Sequence, residues 1–472
     1  MSNPNEPTPP PSRIILPGAD PEPAAERPRI ILPPGAQVET RDDLPEYPRL
    51  RALQIRAVKD GERELIVITD PMGITPGQPA LGMETVAILQ MLDGTTSLAD
   101  IQALFMRESK DLRVGNMLRE FIGQLDEMLL LESPRYEAAL AKLQAEWHPL
   151  GVRPATLEGL CYPAEHEELV KYLDEQFLFV GKRMADAKED MPSSSALPRA
   201  IMAPHLDPRR EGHVLARAYT ELGEDVPLPL RIVVFGTGHQ LGDDYVALTR
   251  KKFETPFGQV PCDTEFVDFV ADQLGDIAYS RELVHRDEHS IEFQLIYLQR
   301  RLKFRRFTIV PILCGGFHQL FDDGRTPRDA PVVETLIRAV REAEQKFGGP
   351  TLYVAGVDFS HMGPRFGDTP LDAEASTRMR ETDERAINAA ATGDADAWFN
   401  AIAEGHDETR ICGFAPTYCM LRCAEPGEGR PLYYAASPEP DGSVVTVAAM
   451  VWPGGGANSR FGGEVGAGTP EA

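Results

Sequence analysis

Three strand-like runs in this chain each end at a histidine. Ile201-Met202-Ala203-Pro204 runs into His205, and Ile232-Val233-Val234-Phe235-Gly236-Thr237-Gly238 runs into His239. Leu352 to Val357 leads through Asp358-Phe359-Ser360 to His361. Imidazole ligates metals and moves protons near neutral pH, so such positions are where chemistry is to be sought. One histidine after a strand means little. Three of the chain's ten histidines at equivalent points mean more. Parallel strands deliver their carboxyl ends to one edge of a sheet, and there the functional crevice of an open α/β fold lies.

Two further segments offer similar groups. His285-Arg286-Asp287-Glu288-His289-Ser290-Ile291-Glu292 opens a helix whose apolar positions follow at Phe293, Leu295, Ile296 and Leu298. His289 and Glu292 are three apart and share a helix face. Acidic residues favour helix starts, so the plain reading is end charge on a solvated face. Phe293 and Leu295 argue instead for inward packing, which makes His289 and Glu292 acid–base candidates. Ile411-Cys412-Gly413 follows a polar loop with His406 and Asp407. Taken alone, a cysteine beside glycine reads as a small buried apolar side chain.

The elements that must position these groups follow from patterning. From residue 153 apolar runs alternate with helical stretches, the signature of an α/β fold with a mainly parallel central sheet flanked by helices. The runs are Ala200–Ala203, Ile232–Phe235, Phe307–Leu313, Leu352–Val357 and Val444–Val451. Residues 47–134 read as a small α+β unit. Leu53, Ile55 and Ala57 alternate with polar residues, Lys59 to Glu62 supply a hairpin turn, and Leu65 to Ile68 return. Met83–Leu92 reads as a helix, Ser97 caps a second, and Val114 to Met128 mark one face of a third. Leu129–Leu131 reads as a closing strand. This order resembles a PqqD-like winged-helix module, a family that recognises peptides or partner proteins; a helical capping domain fits as well. Residues 135–152 read as a helical connector.

The flanks are different. Residues 1–46 are dense in proline and read as a disordered arm. Within it Arg13-Ile14-Ile15-Leu16-Pro17 recurs as Arg29-Ile30-Ile31-Leu32-Pro33, either two chance apolar spots or two docking segments. Residues 453–472 are glycine-rich and read as a disordered tail.

Composition narrows the function classes. The chain has 472 residues and a formal net charge of −25, so its surface repels phosphate backbones and anionic lipid heads. Direct nucleic-acid binding is not expected; the cluster Arg300, Arg301, Lys303, Arg305 and Arg306 reads as a solvated helix end. The cysteines at 161, 262, 314, 412, 419 and 423 fit neither a disulfide framework nor a zinc knuckle. With no membrane-length apolar stretch and no signal-peptide core, a soluble protein of the reducing cytoplasm is expected.

The same residues carry a family resemblance. Ala203-Pro204-His205, Gly236-Thr237-Gly238-His239, Glu254-Thr255-Pro256-Phe257-Gly258, Glu288-His289-Ser290-Ile291-Glu292-Phe293-Gln294-Leu295, Val310-Pro311-Ile312, Asp358-Phe359-Ser360-His361 and Ile411-Cys412-Gly413 resemble the ordered motifs of the Memo family. Arg153-Pro154 through Cys161-Tyr162-Pro163 is similar to that family's start, and Tyr434-Ala435-Ala436 with Val444-Val445 to its end. The resemblance implies a Memo-type domain over 153–452 with a fold like that of class III extradiol dioxygenases (LigB-like), which hold non-haem iron(II). It implies a mononuclear metal on His205, His239 and Cys412, with Asp358 and His361 as further pocket groups. Two imidazoles and a thiolate are softer than two histidines and a carboxylate, so iron and copper both suit the set, and zinc stays open.

The chain departs from the family twice. Leu206-Asp207-Pro208 stands where the family usually continues Ala-Gly-Tyr, and Gln240 where a second histidine is frequent. The first departure creates His205-x-Asp207. Residues two apart in extended chain face one side, which makes Asp207 a rival third ligand. One function expected is a dioxygenase-like, metal-dependent oxidoreductase with His361 or His289 moving a proton. The alternative is a non-enzymatic binding or adaptor component working with a radical SAM partner, since prokaryotic members are similar to one part of the three-part AmmeMemoRadiSam system. A third is a degenerate domain with a structural metal or none.

Overall fold

The structure, a computed structural model, describes residues 44–60, 63–242 and 244–454. The Ile-Ile-Leu repeat and nearly all of the glycine-rich tail lie outside the described residues.

The strands, in chain order, are β1 (Gln54–Asp60), β2 (Arg63–Thr69), β3 (Ala80–Gly82), β4 (Val152–Arg153), β5 (Ala200–Ala203), β6 (Leu230–Thr237), β7 (Val246–Leu248), β8 (Lys252–Phe253), β9 (Phe307–Cys314), β10 (Thr351–Gly356), β11 (His361–Met362), β12 (Arg430–Pro438) and β13 (Val444–Trp452). The first three form an antiparallel sheet in the order β1-β2-β3. β4 and β8 pair in parallel. The other eight form one sheet in the order β11-β13-β5-β10-β6-β9-β7, with β12 paired to β13.

Only the centre of that sheet is parallel. β5, β10, β6 and β9 run together, whereas β13 pairs antiparallel with β5, β11 and β12 pair antiparallel with β13, and β7 pairs antiparallel with β9. The expectation of a mainly parallel sheet is corrected accordingly: the architecture is a mixed α/β sheet flanked by helices. The reason lies in the connections. Parallel neighbours need a long crossover, whereas β12 and β13 are joined by a short turn and must run opposite ways.

The central strands are apolar on both faces because both are covered. Every residue of β5 and β10 is buried, as helix-covered parallel strands require. Side chains alternate between two cores. Val233 and Phe235 of β6 join one cluster, and Ile232 and Val234 join the other. This layering leaves the carboxyl ends of β5, β6 and β10 as the place where polar side chains can gather.

Residues ahead of β4 have a separate hydrophobic cluster that includes Ile66, Ile68, Ile101, Phe121 and Leu125. Helices Val86–Met91, Leu98–Ser109 and Arg113–Glu127 contribute side chains to it, and helix Pro134–Trp147 follows. Ser97 caps the second through the Asp100 N–H at 3.1 Å. Leu129–Leu131 is not a strand. Leu129 turns left-handed at φ 60°, and only a single bridge links Leu131 to Leu50. Buried Arg51 holds Asp70 at 3.0 and 3.1 Å and ties this region's start to the end of β2.

The join to the larger part is packed. Trp147 is buried, and the Lys251 ammonium donates to the carbonyls of Trp147, His148 and Leu150 at 3.1, 3.3 and 2.7 Å. The basic cluster at 300–306 is largely neutralised: Arg300 pairs with Asp174, Arg301 and Lys303 pair with Glu224, and Arg305 donates to backbone carbonyls. Among the described residues, no helix is long and apolar enough to cross a membrane.

The most enclosed ion pair joins Arg153 of β4 to Glu292, the first residue of helix Glu292–Arg301. Neither side chain is exposed. Arg153 also donates to the carbonyls of His285 and Glu288, at 3.0 and 2.7 Å. Glu292 further accepts from Leu157 N–H at 3.1 Å and from the Tyr162 hydroxyl at 2.5 Å. Removing one partner of a buried pair leaves an uncompensated charge and costs about 3–5 kcal/mol. Glu292→Gln is therefore expected to lower unfolding free energy by roughly that amount in urea titrations. A change within about 0.5 kcal/mol would assign the pair no structural role.

Candidate functional site

His205 follows β5, His239 follows β6, and Cys412 precedes helix Phe414–Ala424. Their potential ligand atoms all lie within 4.8 Å of one another, and Cys412 Sγ is 3.4 Å from His205 Nε2. Gly413 allows this approach. A Cβ there would stand 2.6 Å from Val357 Cβ and 2.9 Å from the Asp358 carbonyl, closer than atoms tolerate. The Gly413 N–H instead donates to that carbonyl at 3.0 Å and pins Cys412 against the end of β10.

Hydrogen bonds select the tautomers. His205 Nδ1 lies 2.8 Å from the Gly356 carbonyl, which can only accept. Nδ1 therefore carries the proton, and Nε2 presents a bare lone pair. His239 Nδ1 sits 3.1 Å from both carboxylate oxygens of Glu288, which likewise leaves Nε2 free when the ring is neutral. Such outer partners orient metal-binding histidines and raise their basicity.

Glu288 organises a second group with His239 and His289, again with potential ligand atoms within 4.8 Å. It accepts from the N–H of His239 at 3.0 Å and of His289 at 2.9 Å. The two rings stack with centroids 4.9 Å apart, and His289 Nδ1 stands 3.2 Å from the same carboxylate. Two imidazolium ions so close would repel, so one carboxylate supports one positive ring. Burial opposes charging His239, yet Glu288 and Cys412 carry its pKa well above the ordinary value. Burial holds His289 well below it, with the charge of His239 adding to the effect. Glu288 itself is kept ionised against burial by His239.

Asp358 joins strand ends. Its carboxylate accepts from the N–H groups of His205 at 2.9 Å and Leu206 at 3.1 Å. Burial pushes its pKa up to about 6, against the pull of His361 and those N–H groups. His361 begins β11 and pairs with Val445 of β13, so it reaches the site from an edge strand. Its Nδ1 lies 2.8 Å from the Phe359 carbonyl and 3.0 Å from that of Arg410, which leaves Nε2 bare. Burial lowers its pKa.

His205, His239, His289, Asp358 and His361 all line one cavity of about 710 Å³. Two expected site residues go elsewhere. Glu292 is consumed by Arg153, Tyr162 and the backbone of 156–157; it begins the helix that follows His289 and does not share a helix face with it. Asp207 caps helix Pro208–Thr220. Pro208 turns the chain into that helix, and Arg209 takes both carboxylate oxygens, at 3.3 and 2.7 Å. The extended geometry that made Asp207 a rival ligand is absent. Glu288 was missed, although its position directly before His289 was a readable signal.

A mixed sheet whose strand ends gather two histidines, a cysteine and their orienting carboxylates defines an α/β protein with a candidate metal-binding crevice. The family model described as Memo-like protein matches residues 153–451, and the chain belongs to the Memo family. It is similar to a MEMO1 family protein of Aquifex aeolicus, 27% identical over 82% of this chain and 95% of the relative. A MEMO1 family protein of Thermus thermophilus is 28% identical over 72% of this chain and 94% of its own length. One from Pyrococcus abyssi is 32% identical over 56% and 84%. Residues 153–472 make up about two thirds of the chain, so the Aquifex match also takes in part of the region before β4.

Glu288→Gln removes the charge that sustains the His239 imidazolium while keeping its shape. In metal-free protein the His239 pKa is expected to fall, read from its imidazole nitrogen shifts in an NMR pH titration. No change would show that Glu288 does not set the ring's charge.

Proposed function

We propose that this chain is a metal-dependent oxidoreductase whose single iron or copper ion is held by His205, His239 and Cys412. One observation carries the reading: two imidazoles with Nδ1 committed to fixed acceptors leave their Nε2 atoms for a ligand beside a thiol, the potential ligand atoms all within 4.8 Å, beside a cavity large enough for a small molecule. The donor set fits a soft divalent ion. Bound there, the ion would supply one-electron redox chemistry.

The chain's own residues do the rest. Glu288 keeps the proton on His239 Nδ1, and the Gly356 carbonyl keeps it on His205 Nδ1. Burial pushes the Cys412 thiol up while His239 draws it down; a cation in the group would favour the thiolate. His361 has a bare Nε2 on the cavity, suited to take up and return a proton. Asp358, with a pKa near 6, holds the adjacent backbone and can share that proton.

Metal content of protein purified anaerobically, without a metal-affinity tag, tests the reading. Wild type is expected to hold about one iron or copper per chain. His205→Ala, His239→Ala and Cys412→Ser each lose about 10- to 100-fold in metal affinity. Asp207→Asn and His361→Ala keep the metal, and His361→Ala lowers dioxygen consumption. Metal retained by Cys412→Ser overturns the ligand set. Stoichiometric metal with no dioxygen consumption overturns the oxidoreductase and leaves the binding or adaptor component beside a radical SAM protein.

A further inference from the structure

The cavity at the proposed metal site is not enclosed by the Memo-family region alone. Its lining includes Gln54, Ile55, Arg56 and Ala57 of β1 with Thr69 at the end of β2 and Pro71 after it, all from the region ahead of β4. That region is tied down at this edge: the Arg286 guanidinium donates to the Met72 carbonyl at 2.5 Å. A segment outside the family fold thus forms one wall of the crevice.

The wall carries an unbalanced charge. Arg56 is half-buried and has no ion-pair partner among the described residues. It stands near Arg365, which also lines the cavity. Arg365 is satisfied by Glu439, at 3.0 and 2.8 Å, but Glu439 is shared with Arg210 at 3.1 Å. Arg56 and Arg365 thus bring two guanidinium groups to the lining of the cavity. The acids that line the cavity are held by other groups. Asp287 is held by Arg286, Glu288 by the histidines, and Asp358 by backbone N–H groups. Around these charges the lining is apolar, at Ile55, Leu206, Phe366 and Val445.

We propose that the cavity binds an organic anion, a carboxylate on an apolar body, with Arg56 as the residue that recognises its charge. The Arg56 guanidinium, with no ion-pair partner among the described residues and a second guanidinium nearby, favours an entering carboxylate and can bind it through two parallel hydrogen bonds. The apolar lining accommodates the body, and the proposed metal group stands in the same cavity. The role of this anion as substrate rests on the metal reading; its binding through Arg56 does not.

Calorimetric titration of the full chain with benzoate, and with benzamide as its neutral counterpart, tests this. Wild type is expected to bind benzoate saturably and benzamide about 10-fold more weakly. Arg56→Gln should lose about 10-fold in benzoate affinity with benzamide unchanged, and Arg56→Lys should lose less. Should Arg56→Gln prove unfolded, Ile55→Asp places a negative charge on the exposed face of the same strand and should weaken benzoate more than Ile55→Asn does. Equal binding of the two ligands, no saturation up to about 10 mM benzoate, or full affinity in Arg56→Gln overturns the proposal. Inorganic phosphate binding in place of benzoate overturns the apolar body. Metal analysis of the same samples separates the two readings: metal-free protein that binds benzoate through Arg56 keeps this inference and removes the oxidoreductase.

Discussion

A fully buried carboxylate, Glu292, fixes the segment on which the site is built. It pairs with Arg153, whose other donors hold the carbonyls of His285 and Glu288. The residues between divide their tasks by direction. Glu288 and His289 face the cavity, while Ser290 donates to the Thr237 carbonyl at 2.9 Å and Gln294 to that of Pro204 at 2.9 Å. The ends of β5 and β6 are thus locked to this turn. Gly236 makes the contact possible, since a Cβ there would lie 2.5 Å from Ser290 Oγ. Burying Arg153, Glu292, Ser290 and Gln294 is tolerable because their polar atoms find partners. The position of His239 relative to His205 follows from that lattice of bonds.

The same economy of charge governs the chemistry. Glu288 is the one acid touching two stacked imidazoles, so protonation of one ring disfavours protonation of the other. A cation among His205, His239 and Cys412 would replace the proton on His239 Nε2 and leave the Glu288–Nδ1 bond intact. The proposed metal site and the acid–base groups are in this sense alternatives for one carboxylate's charge. Asp358 sits apart from that competition because backbone N–H groups, not imidazoles, take its oxygens.

Much of this was legible in the sequence. The five apolar runs are all strands, and His205, His239 and Cys412 converge as the motif order implied. What failed did so for local reasons. Asp207 was placed by a rule for extended chain, but Pro208 begins a helix there and Arg209 claims the carboxylate. Glu292 shares the face of His289 in a helical projection, yet the helix starts only at Glu292, so His289 lies on the preceding turn and points elsewhere. Strand direction could not be read from apolar runs, because a buried strand is equally apolar whichever way it runs; β13, as apolar as its neighbour β5, runs antiparallel to it.

The least legible feature is the contribution of β1 to the cavity, because it arises between segments some 150 residues apart in sequence. Alternation at Leu53, Ile55 and Ala57 signals a strand with one apolar face, and in an isolated small unit that face would turn inward. Instead Ile55 is 44% exposed and meets the crevice, while Ile66 and Ile68 of β2 fill the local core. An edge strand with an apolar residue left open is a liability unless something covers or uses it. Here the strand is used as a wall. A wall that carries Arg56 makes the crevice more selective than the family region could make it alone, because a neutral molecule gains nothing from a guanidinium that must be desolvated to admit it. The region before β4 therefore supplies part of the lining of the crevice.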